Sequence, residues 1–244
     1  MTQLGEFYIG TSGWHYNHWK GNFYPAGVAS AQFTNYYLRF FDTVEINNSF
    51  YRLPSPETFA NWRTSVPPDF LFAVKASRYI THMKKLKDPQ QSLAQFMGNV
   101  QALEEKLGPI LFQLPPAWRL NLERLEQFLA ALPPFYRYTI EFRDQSWYDA
   151  RVYALLQQKN IAFCIYDLDG HQSPLEVTAD FVYIRLHGPE GKYNGSYSET
   201  TLQTWAEKLK VWSAEGKDVF VYFDNDIGGH APVNAARLKK MINE

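Results

Sequence analysis

Tyr138-Thr139-Ile140-Glu141-Phe142-Arg143-Asp144-Gln145-Ser146-Trp147 reads as a short strand that ends in charge. Alternate residues of an extended chain face opposite sides, so Thr139, Glu141 and Arg143 share one face and Ile140 and Phe142 the other. A carboxylate and a guanidinium therefore lie side by side at the C-terminal end of the strand. Outward from this stretch the pattern repeats. Strand-like runs fall at residues 7–10, 43–47, 70–76, 108–114, 161–167, 181–187 and 218–223. Helical patterns fall at 29–41, 56–65, 89–106, 122–132, 150–159, 198–215 and 232–242. Pro67-Pro68 stops one helix and Pro89 opens the next, positions where proline's fixed φ and missing N–H are tolerated. Ser198 is set to cap another.

This alternation implies parallel strands joined by helical crossovers. Eight repeats in 244 residues predict a single TIM-type (β/α)8 barrel domain over residues 1–244. An open doubly wound sheet is disfavoured, because no glycine-rich fingerprint follows the first strand. Residues 168–180 carry Gly170 and Pro174 and show no helical pattern, so the sixth helix is expected to be irregular or missing.

Composition bounds the function. Hydrophobic residues make up 45% and charged residues 20%, ordinary for a globular chain, and the net charge of −1 does not signal a broadly basic nucleic-acid binder. Aromatics reach 17%, more than a core alone requires. Cys164, the single cysteine, excludes an internal disulfide and a thiolate metal cluster, and its apolar strand suggests a buried structural residue. Residues 1–7 lack a basic-plus-apolar leader, and no apolar run reaches the ~18 residues of a membrane span. A cytoplasmic protein with no membrane contact is the expectation.

In such barrels the site lies at the C-terminal strand ends. There the chain places Glu45 and Asn47, Lys75, Gln113, Glu141 and Arg143, Asp167, Arg185 and His187, and Asn225. Polar groups in this number cannot be buried unpaired. Either the carboxylates and cations close into a salt-bridge layer, or some of them meet a ligand. Three cations and a histidine favour an anionic or sugar-containing small molecule. Glu45 and Glu141 are candidate acid and base, as on a glycosidic bond. Trp14, Tyr51 and Trp147 are candidate rings for stacking on a sugar or base, with Trp147 expected at the rim. Gly188, Gly191 and Gly195 offer a backbone cradle. A divalent metal on Glu45, Glu141, Asp167, His187, His82 or His230 is compatible with the inventory but not favoured, and no residue is assigned as a ligand. Ser12 has no base beside it in sequence. Lys84, Lys85 and Lys87 form a basic loop that gives nucleic acid weak support as a partner.

These motifs resemble the family catalogued as domain of unknown function 72, the YecE-like proteins. The matching stretches include Gly10-Thr11-Ser12-Gly13-Trp14, Val44-Glu45-Ile46-Asn47 with Phe50-Tyr51-Arg52-Leu53-Pro54, Phe72-Ala73-Val74-Lys75-Ala76 and Leu111-Phe112-Gln113-Leu114-Pro115-Pro116. Glu141-Phe142-Arg143 with Ser146-Trp147, Arg185-Leu186-His187-Gly188 and Asn225-Asp226 complete the series. The resemblance implies a TIM-type barrel and no established activity. Asp144-Gln145 and Asp224 stand where the family pattern often has His-Pro and Asn. Hydrolase or lyase chemistry is the expectation. Metal-dependent phosphodiester chemistry on nucleic acid, or ligand binding without catalysis, are the alternatives.

Overall fold

The computed structural model describes residues 3–244, so Met1 and Thr2, where the leader reading starts, lie outside the described residues. In chain order the elements are β1 (Phe7–Thr11), α1 (Phe33–Tyr37), β2 (Thr43–Ile46), α2 (Asn48–Tyr51), α3 (Pro56–Thr64), β3 (Leu71–Lys75), α4 (Pro89–Val100), β4 (Leu107–Gln113), α5 (Leu122–Ala130) and β5 (Tyr138–Glu141). Next come α6 (Ala150–Gln158), β6 (Ala162–Leu168), β7 (His171–Gln172), β8 (Phe181–Leu186), α7 (Glu199–Ala214), β9 (Asp218–Phe223) and α8 (His230–Asn243). This is the alternating α/β architecture of the TIM-barrel type. The irregular sixth connection is a hairpin: β7 pairs antiparallel with the end of β6, with Asp167 opposite Gln172.

Local chemistry sets the element boundaries. The Ser55 side chain accepts from Thr58 N with Pro56 in the first turn of α3, and Ser198 does the same for Thr201 N at α7. The helix expected at 29–41 is a 3-10 turn, Ser30–Gln32, followed by the short α1. Only Phe33 and Tyr37 are buried in α1, so it has too narrow an apolar face to run further. The helix expected to run to 106 ends at Val100 and continues as a 3-10 segment, Gln101–Lys106, with Glu104 at φ 50°. At the end of this segment Lys106 is buried, and its Nζ donates to Arg63 O at 2.7 Å and Val66 O at 2.8 Å. The basic loop follows a π-helical turn, Tyr79–Met83, and Asn48–Tyr51, directly after β2, form the helical turn α2.

The described residues divide into two compact units. The first holds residues 3–45, 165–175 and 180–244. In it β9 pairs in parallel with β1 on one side and β8 on the other, and Ser12 bridges in parallel to Glu45. Tyr8 stacks on Phe220 within this unit, and α7 and α8 bury Leu202, Trp205, Leu209 and Leu238. Gly10 has no room for a side chain, since a Cβ there would meet Thr43 O at 2.4 Å. The second unit holds residues 46–164 and 176–179. Its sheet is β3–β4–β5–β6, all parallel. Phe112 packs edge-on against Phe128 of α5, and Phe142 stacks on Trp147 and Phe163.

Candidate functional site

Two polar clusters occupy strand ends, one in each unit. In the first unit, the parallel register of β8 and β9 puts Tyr183, Arg185 and His187 on the same face as Phe220, Tyr222 and Asp224. Glu45 and Arg185 are both fully buried. Arg185 donates from Nε to both Glu45 oxygens, at 3.2 and 3.0 Å, and from Nη2 to Oε1 at 2.8 Å. Ser12 Oγ donates to the same Oε1 and Tyr183 OH to Oε2, each at 2.6 Å. Burial and the neighbouring Glu45 carboxylate push the Tyr183 hydroxyl well above its ordinary pKa, so it remains a donor. Glu45 therefore has its oxygens filled by protein donors, and Ser12 is a support for Glu45.

Asp224 extends the cluster. Its Oδ2 accepts from Arg185 Nη2 at 3.1 Å and lies 3.0 Å from His187 Nδ1. His187 Nε2 lies 3.4 Å from Arg185 Nη1, so both ring nitrogens have protein partners. Asp224 is 13% exposed and is the opening of this network toward solvent. It is the site residue that sequence reasoning missed, although the two-residue period from Tyr222 points to it. Asn225, chosen instead, faces the other way: it is buried, and its Nδ2 bridges Gly195 O at 2.9 Å and Asn234 Oδ1 at 2.8 Å. Trp14 is nearly buried and packs edge-on against Tyr37. The proposed glycine cradle is closed on itself. Gly188 N donates to Tyr197 OH at 2.9 Å, and at φ 109° its missing Cβ leaves space for Asn194 O.

In the second unit, strand register builds the other cluster. Leu111 of β4 is opposite Lys75 of β3 on one side and Thr139 of β5 on the other, and Gln113 is opposite Glu141. Register partners in a parallel sheet share a face, so Lys75 and Thr139 form one row and Gln113 and Glu141 the next. Glu141 is fully buried and paired with Arg143, whose side chain keeps 7% of its surface exposed. Cys164 Sγ lies 3.8 Å from Glu141 Oε2, so the cysteine is buried as expected but touches the candidate base. Ser49 Oγ donates to Lys75 O at 2.6 Å, tying the start of α2 and the preceding Asn47 to the end of β3. Lys75 Nζ sits 4.4 Å from the Phe50 ring, and His82 meets the same ring edge-on. Burial first, then Lys75, Arg78 and Arg143, lower the His82 pKa below 6.5.

Among the described residues, five buried side-chain oxygens have no hydrogen-bond partner. Three belong to this cluster: Asn47 Oδ1, Gln113 Oε1 and Thr139 Oγ1. An unpartnered buried acceptor costs on the order of 1–3 kcal/mol, so three in one cluster are costly unless a ligand or water meets them. Tyr51 is 74% exposed, over a groove of about 660 Å³ lined also by Arg52, Ser55 and Asn99. Trp147, expected at the rim, has no exposed surface; its indole N–H donates to Trp118 O at 2.6 Å, and its ring fills the space beside Phe142. Among the described residues no group of three or more His, Cys, Asp or Glu side chains is placed to hold a metal ion. None of the described helices is long and apolar enough to cross a membrane.

A family model described as protein of unknown function DUF72 matches residues 8–244. The chain belongs to the DUF72 family. The DUF72 chain is 24% identical to the protein YunF of Bacillus subtilis, over 97% of this chain and 94% of that one. It is 30% identical to YecE of Escherichia coli over 58% of this chain and 50% of that one. A crystal structure of a DUF72 protein from Thermotoga maritima superposes with a TM-score of 0.89 at 33% identity, covering 98% of this chain and 100% of that chain. A second, from Enterococcus faecalis, gives 0.85 at 21% identity over 98% and 96%, which bears on the fold alone.

Proposed function

We propose that this protein binds a small anionic molecule at the strand ends of its second unit and turns it over by hydrolase- or lyase-type chemistry. Lys75 and Arg143 are the anchoring cations, and Glu141 is the proton acceptor. The observation that carries this reading is the gathering of cationic side chains around His82 and the end of β3. Lys75, Arg78 and Arg143 act on His82 together with one carboxylate, Glu141. The cluster of the first unit differs: there Arg185 meets two carboxylates, Glu45 and Asp224. An anion that engages the guanidinium of Arg143 competes with Glu141 for it. Such exchange frees the carboxylate to take a proton from an attacking water, or from a carbon beside the anionic group. Glu45, by contrast, acts as the counter-ion that positions Arg185.

The test uses inorganic phosphate as the probe. Phosphate raises the melting temperature of the parent protein, as any ligand of the folded state does. Arg143→Met and Lys75→Met lose that rise, and Glu141→Gln keeps it. Once a substrate is in hand, Glu141→Gln binds it without turnover. A phosphate-dependent rise that survives Arg143→Met refutes the assignment.

A further inference from the structure

The layer that carries the cations also carries acceptors with nothing to accept. Asn47 Oδ1, Gln113 Oε1 and Thr139 Oγ1 have no partner. Thr139 has no exposed surface, and its side chain shares the row and face of Lys75. Gln113 lies opposite Glu141, one row nearer the strand ends. Asn47 precedes α2, which Ser49 fastens to the Lys75 carbonyl. Amide oxygens only accept hydrogen bonds, so the acceptor oxygens of a simple carboxylate satisfy neither Asn47 Oδ1 nor Gln113 Oε1, whereas the Thr139 hydroxyl both donates and accepts. What they require is a ligand with O–H or N–H donors held a short distance from its charge. The cations ask for an anion and the amides for hydroxyls.

We propose that the ligand class is a polyhydroxylated anion, a sugar acid or a sugar phosphate, with its charge on Lys75 and Arg143 and its hydroxyls on Asn47, Gln113 and Thr139. This rests on the anion site proposed above and adds the groups that select the rest of the molecule. Thr139 is the informative member. Valine has nearly the same shape and favours a strand, so Thr139→Val removes the hydroxyl without opening the layer.

Two matched pairs test the proposal by calorimetry: gluconate against hexanoate, and glucose 6-phosphate against hexyl phosphate. Each pair shares its charged group and carbon count and differs in hydroxyls. The hydroxylated member of at least one pair binds roughly tenfold or more tightly than its partner, because each hydrogen bond to a buried acceptor changes affinity several-fold. The pair that discriminates tells carboxylate from phosphate. Thr139→Val and, separately, Gln113→Met reduce that ratio several-fold. Equal affinity within both pairs, abolished by Arg143→Met, overturns this inference and leaves the anion site standing. Absence of binding by all four compounds refutes the anion site and this inference with it. If Gln113→Met does not fold, Thr139→Val alone decides.

Discussion

Glu141 and Glu45 are equivalent in sequence, each a glutamate on a strand, yet the structure gives them different partners, and Glu45→Gln exposes the difference. Glu45 and Arg185 have no solvent exposure, and five contacts from Ser12, Tyr183 and Arg185 fill the two carboxylate oxygens. Removing one partner of a buried pair costs about 3–5 kcal/mol, because the other charge stays buried without compensation. Glutamine keeps the shape, and Asp224 still faces Arg185 at 3.1 Å, which places the loss near the lower end, about 3 kcal/mol. For a chain of this size each kcal/mol moves the midpoint by about 2–4 °C, so the melting temperature falls by roughly 6–12 °C. Thermal and urea denaturation followed by circular dichroism at neutral pH measure it. Combined with Arg185→Met, the double-mutant cycle yields a coupling of about 2 kcal/mol or more. A Glu45→Gln protein that melts within about a degree of the parent refutes the assignment of Glu45 as the structural counter-ion.

Three further outcomes follow from the second unit. Without ligand, Thr139→Val stabilises the protein by about 1 kcal/mol, read as a melting temperature about 2–4 °C higher, because a buried hydroxyl without a partner is replaced by a methyl group; a lower midpoint counts against that account. His82 has its pKa lowered by burial and by Lys75, Arg78 and Arg143. The unfolded state therefore takes up the proton first, so this histidine has no effect above its unfolded value near 6.5 and removes stability as pH falls through it. His82→Gln flattens the stability curve below about pH 6.5, and superimposable curves in urea titrations contradict it. Cys164 is buried against Glu141, so a thiol reagent leaves the native protein unmodified and titrates one group after denaturation; rapid native labelling contradicts that placement.

Much of the fold was legible because its signals are local. Period-two alternation, proline stops and serine caps act within a few residues, and they located the strands and the helix starts. The absent sixth helix was legible for the same reason, in Gly170 and Pro174. The pairing of Glu141 with Arg143 was legible too, since residues two apart on a strand share a face. What sequence could not supply was the partner of Glu45: Arg185 lies 140 residues away, and only folding brings them together. Burial was equally out of reach. Trp147 reads as a rim residue but is packed against Phe142 and Trp118, because the indole fills a space made by segments distant in the chain. Asn225 and Asp224 are neighbours with opposite fates, decided by which side of β9 each faces. Sequence by itself determined the alternation of strands and helices, the family and the residues at the strand ends. Tertiary structure decided which of those charges neutralise one another and which polar atoms are left without partners, because desolvation and pairing depend on non-local neighbours that no local pattern encodes.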